Sequence, residues 1–144
     1  MIRRLVALSA VVAVAVIGIS ASAQQAVTYK AHLTAKDEVP PNASAATGDG
    51  TFVLNPATKE LTWDVKFSGL SGPATAAHIH GPAAAGVNAG VAVPFDPPKA
   101  ASGEIKGSKV LTDAQIADLQ AGKYYANVHT EANKGGEIRG QLMP

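Results

Sequence analysis

The chain has no cysteine and one tryptophan, only 5% of its residues are aromatic, and only 16% carry charge. Each shortage excludes something. Without cysteine there is no disulfide and no thiolate ligand, so the fold rests on its apolar core. Any metal must then use histidine, carboxylate or water. The absence of a basic run argues against nucleic acid as a partner. Low aromatic content with abundant alanine and glycine points to a small, tightly packed β structure with many turns.

Long apolar runs are also missing. The longest, Leu5 to Ile19, spans about 15 residues, short of the roughly 20 that cross a bilayer. It follows Arg3 and Arg4 and gives way to Ser20-Ala21-Ser22-Ala23. A basic start, an apolar stretch and an A-x-A site in that order read as a signal peptide over residues 1–23. The remaining residues 24–144 suit one domain with no membrane span after cleavage, periplasmic or secreted. Loss of Arg3 and Arg4 takes the 12 basic residues to 10 against 11 acids, a formal charge of −1.

What the chain does have is alternation. Val27 to Ala35, Gly50 to Leu54, Glu60 to Phe67 and Lys123 to Thr130 place apolar residues at every second position, the mark of half-buried strands. Asn55-Pro56-Ala57-Thr58 joins the second and third as a hairpin. Further strands are expected over Val91 to Phe95, Gly103 to Val110 and Glu137 to Leu142. Trp63, among Leu61, Val65 and Phe67, reads as core. Lys36 to Asp49, with Pro40-Pro41 and a small polar tail, reads as a loop. Thr112 to Ala121 is the one helix. Thr112 and Gln115 form a capping box, Leu111 and Ile116 a staple, and Gly122 a left-handed stop. The sum predicts an all-β domain: an antiparallel, Greek-key-like β-sandwich or flattened barrel of about eight strands with one short helix.

The chemistry centres on Thr75 to Pro82. His78 and His80 are spaced i, i+2, so on a strand they share a face, roughly 7 Å apart, with Ala77 and Ile79 on the other. The same pattern suits a metal-ligand pair or two surface histidines. His129 lies on the polar face of its own strand, opposite Tyr124, Ala126 and Val128. If the two strands are neighbours, three imidazoles converge, a set that suits copper or zinc. The fourth position would be open to water or to Glu131 or Glu137. Glu137, Arg139 and Gln141 are expected on the outward face of the last strand. His32 reads as a solvated histidine.

Several segments resemble the CHRD domain family, named for chordin. They are Glu38-Val39-Pro40-Pro41, Ala77-His78-Ile79-His80-Gly81-Pro82, Leu111-Thr112, Tyr125 to Thr130, and Gly135 to Leu142. The resemblance covers nearly the whole of residues 24–144 and implies an exported domain, since many bacterial exported proteins consist of one copy. A more distant likeness is to the copper,zinc superoxide dismutase pattern: a His-x-His strand, a later Val-His, a Gly-rich stretch and an arginine near the C-terminus. It implies copper on His78, His80 and His129, with Arg139 beside it guiding an anion as its catalytic residue. The chain departs from that pattern by lacking a bridging histidine after His80, the histidines of a zinc site, and the disulfide. The expectation is therefore one mononuclear site. The competing expectation is a non-enzymatic envelope or matrix binding domain whose histidines only fix loops. A hydrolase finds no Gly-x-Ser-x-Gly support.

Overall fold

The computed structural model describes residues 24–144; the expected signal peptide over 1–23 lies outside them. Eight strands form: β1 (Val27–Thr34), β2 (Thr47–Asn55), β3 (Glu60–Ser68), β4 (Ala74–His80), β5 (Val91–Phe95), β6 (Gly103–Val110), β7 (Tyr125–Thr130) and β8 (Ile138–Gln141). One α-helix, α1 (Asp113–Gln120), lies between β6 and β7. The strands make one antiparallel sheet in the order β5-β4-β7-β8-β1-β2-β3-β6. Neighbours that are distant in sequence, β3 with β6 and β4 with β7, give the expected Greek-key character. The sheet curls into a nearly closed barrel. At its seam the end strands β5 and β6 approach without pairing, and the rings of Trp63 and Phe95 sit 4.8 Å apart.

Alternation produces this barrel. The inward positions Tyr29, Ala31, Leu33, Phe52, Leu54, Leu61, Val65, Phe67, Ala77, Ile79, Ala126 and Val128 are all buried in one apolar core. Trp63 joins it as a core residue. The helix forms as its cap predicts. Thr112 Oγ1 accepts from the Gln115 backbone N–H at 3.2 Å, and Gln115 Oε1 accepts from the Thr112 N–H at 3.0 Å. Gly122 ends it at φ 68°, and Leu111 and Leu119 pack into the core.

Two expectations need correction. The stretch from Lys36 to Asp49 is not all loop: a 3₁₀ turn occupies Ala35–Asp37, and β2 begins at Thr47, paired with Ser68. Glycine at the inward positions hid the alternation. A Cβ on Gly48 would meet the Lys66 carbonyl at 3.0 Å, and one on Gly50 would lie 2.6 Å from Phe52 Cε2. The second correction concerns β8. Glu137 and Arg139 point away from the barrel interior but not into solvent, being 0% and 2% exposed. Long loops fold back over this outer face and bury it.

Candidate metal centre

The covered outer face of β4, β7 and β8 carries the histidines. In the β4–β7 register Ala76 pairs with His129, His78 with Asn127 and His80 with Tyr125. All five polar or aromatic residues among these share one face. The strands are therefore neighbours, as convergence required. His78, His80 and His129 each bring a ring nitrogen to within 4.8 Å of the others. His78 Nδ1 lies 3.0 Å from His129 Nε2. A Cβ at Gly81 would run into the Tyr124 ring, so glycine lets the chain leave β4 directly after His80.

Hydrogen bonds fix two of the rings. His129 Nδ1 donates to the Lys134 carbonyl at 2.9 Å, which leaves Nε2 with a lone pair aimed at His78. His80 Nδ1 lies 3.0 Å from the Ala89 carbonyl, and His80 Nε2 lies 3.0 Å from Asn127 Oδ1. Burial holds the His78 pKa down at about 4, with the nearby His129 and His80 adding to the effect. Burial likewise lowers that of His129, against the opposing bond to Lys134. Both rings are thus kept neutral at neutral pH, the form that binds metal.

Arg139 completes a stack rather than reaching the histidine cluster. Its guanidinium lies 3.4 Å above the Tyr125 ring, and Tyr125 is stacked on His80 with centroids 5.0 Å apart and planes 6° from parallel. Its NH1 donates to Asn88 Oδ1 at 3.0 Å and its NH2 to the Val87 carbonyl at 2.7 Å. Arg139 therefore pins the loop between β4 and β5 over this face.

The carboxylates considered for a fourth ligand are engaged elsewhere. Glu131 is exposed and ion-paired with Lys134 at 2.8 Å. Glu137 accepts from Ser44 Oγ (2.6 Å), Ser71 N (2.7 Å), Ser71 Oγ (2.6 Å), Thr130 Oγ1 (2.5 Å) and Asn133 Nδ2 (3.1 Å). Burial alone would raise its pKa, but the Ser44, Ser71 and Thr130 bonds outweigh that and hold it at about 2. His32 stands apart and exposed, 2.8 Å from Asp49 on β2.

Three residues of this face carried no assigned role in the sequence: Asn127, Tyr125 and Glu38. The first two share the face of His129 at i−2 and i−4, a signal that was readable. Glu38 comes from the loop after the 3₁₀ turn, marked in the sequence only by its place in the Glu38-Val39-Pro40-Pro41 motif. It is 4% exposed, and its Oε1 makes no hydrogen bond. Burial pushes its pKa up to about 7, opposed by the Arg139 charge and then by the Asn127 carboxamide.

No curated protein and no solved structure gives a significant match to the chain. A family model described as "CHRD domain" matches residues 29–142, from the first strand of the barrel to Leu142 just after β8. That match spans every element that builds the histidine face, and the chain belongs to the CHRD domain family.

Proposed function

We propose that this domain is exported and holds a single copper or zinc ion through His78, His80 and His129. The observation that carries the reading is the 3.0 Å approach of His78 Nδ1 to His129 Nε2, with the third imidazole inside 4.8 Å. Three nitrogens at 2.0–2.1 Å from one ion stand about 3.3–3.6 Å apart, so ring movements of about 1 Å reach that spacing. The backbone carbonyls on the Nδ1 atoms of His129 and His80 are the outer contacts that orient ligating imidazoles. The donor set is all nitrogen, which suits copper and zinc and disfavours magnesium and calcium. Copper at three protein ligands with an open position would supply one-electron redox chemistry, and superoxide dismutation is the activity we assign to that form. Arg139 then contributes positive charge from behind Tyr125 and anchors the loop over the site.

A second reading is a non-enzymatic binding or scaffold domain of the envelope or matrix. The loop carbonyls of Ala89 and Lys134 favour it, because the same bonds tie both loops down without any ion. Metal analysis of protein expressed into the periplasm separates the two. The metal reading expects about one copper or zinc per chain, lost in His78→Ala and in His129→Ala. Stoichiometry near zero after copper loading would sink it in favour of the scaffold.

A further inference from the structure

We propose that Asn127 is a positioning residue that occupies the ligating nitrogen of His80 and competes with the metal for it. The inference rests on the three-histidine reading above and adds the residue that sets its affinity. His80 differs from its two partners. His129 gives one nitrogen to a carbonyl and keeps the other for the cluster. His80 has both nitrogens engaged, Nδ1 by the Ala89 carbonyl and Nε2 by the Asn127 amide, each at 3.0 Å. The carbonyl contact is the ordinary outer-sphere one, so Nε2 is the atom left for an ion. Asn127 holds that same atom. The Ala89 carbonyl accepts from Nδ1–H, so the neutral ring presents a lone pair on Nε2, and the Asn127 amide satisfies it through its N–H end.

Asn127 is itself held. It is 2% exposed, and its register opposite both His78 and Arg139 puts it at the centre of the face. Glu38 lies on its far side. A Cβ on Gly136 would run into Glu38 Oε1 and lie 2.7 Å from Asn127 Nδ2, so glycine there leaves the space that the carboxylate and the amide share. The ring stack with Tyr125 limits His80 to motion within its own plane. The ion therefore gains this ligand only by displacing the buried amide from Nε2.

The sign of one substitution tests this. An outer-sphere residue that merely orients a ligand weakens metal binding when removed. A competitor strengthens it. Asn127→Ala should bind zinc(II) and copper(II) about three- to tenfold more tightly than wild type in chelator competition, the worth of one net hydrogen bond. Unchanged or weaker binding overturns the proposal, and weaker binding would assign Nδ1 as the ligating atom. Asn127→Ser, which shortens the side chain and keeps it polar, should shift affinity in the same direction and serves if the alanine variant does not fold. In the metal-free protein, long-range ¹H–¹⁵N spectra should show the His80 Nε2 resonance displaced in either variant, with that of His129 Nδ1 unmoved. A His80 Nε2 resonance that stays in place also overturns it. Wild-type protein that binds neither ion sinks the three-histidine reading itself. Tight wild-type binding without tightening in the variants sinks only the role of Asn127.

Discussion

His78 Nδ1 and His129 Nε2 face each other at 3.0 Å across 51 positions of sequence. The β4–β7 pairing makes this contact, because Ala76 opposite His129 sets His78 one step along the same face. In the metal-free chain the contact is a hydrogen bond, with His78 donating to the lone pair that the Lys134 bond leaves on His129. An ion between the rings replaces that bond with two stronger ones.

Thermal stability should therefore respond to metal. An ion that binds only the folded state adds about 2.7 kcal/mol at 100 times its Kd, or about 10 °C in Tm for a domain of this size. The rise is expected for wild type with copper(II) or zinc(II), reversed by chelator, and absent in His78→Ala and His129→Ala. An equal rise in both variants would place the ion elsewhere.

Glu38 should make the domain less stable as pH rises. Its pKa is raised from 4.5 to about 7 in the folded state, so between these values the folded chain binds a proton that the unfolded chain has lost. Its contribution is complete below about 4.5 and is lost as pH climbs through 7. Glu38→Gln keeps the shape and removes the ionisation. Relative to wild type it should gain stability between pH 4.5 and 8, by about 2 kcal/mol after allowance for solvent in the adjoining clefts. Denaturant midpoints of the two proteins across that range measure the gain; parallel curves would refute it.

Glu137 should act in the opposite sense. Its folded pKa, about 2, lies below the unfolded value. The stability it confers is present above about 4.5 and drains away as pH falls toward 2. Five donors from four residues converge on it, including Ser44 and Ser71 from two separate loops. Glu137→Ala should cost about 2–4 kcal/mol at pH 7 by leaving buried donors unpaired. The loss should shrink in acid, and urea titrations at pH 7 and pH 3 would reveal it.

The contrast between these two carboxylates marks what the sequence could convey. The His78-x-His80 pair, the face of His129, the core positions around Trp63 and the capped helix all follow from periods of two and 3.6. They are local, and the barrel only brings them together. The burial of Glu137 and Arg139 is not local. It depends on loops from 42–44, 71 and 81–90 crossing the outer face, and their mostly small residues carry no period. The start of β2 was hidden for a related reason, because Gly48 and Gly50 stand where apolar side chains would have announced a strand. Glu38 lies in the Glu38-Val39-Pro40-Pro41 motif, yet its raised pKa comes from burial against a face whose Asn127 and Arg139, which oppose the shift, lie about a hundred positions away.

Arg139 joins the loop over the site to the stack beneath it, and its variants should separate charge from shape. The guanidinium makes two hydrogen bonds to the Val87–Asn88 segment and one cation–π contact with Tyr125. Arg139→Ala should cost about 2–4 kcal/mol, and Arg139→Lys should recover little of it, since an ammonium cannot make the fork or the flat contact. Activity should sort differently. If Arg139 draws an anion toward a copper site, its charge matters and its shape does not. Copper-loaded Arg139→Ala should then consume superoxide about two- to fivefold more slowly at low ionic strength, with Arg139→Lys close to wild type and the difference fading as salt is added. Equal rates for all three proteins would leave Arg139 as the pin of the β4–β5 loop alone. Its charge would then act only on Glu38, whose pKa should climb further in the alanine variant because Arg139 is the main influence holding it down.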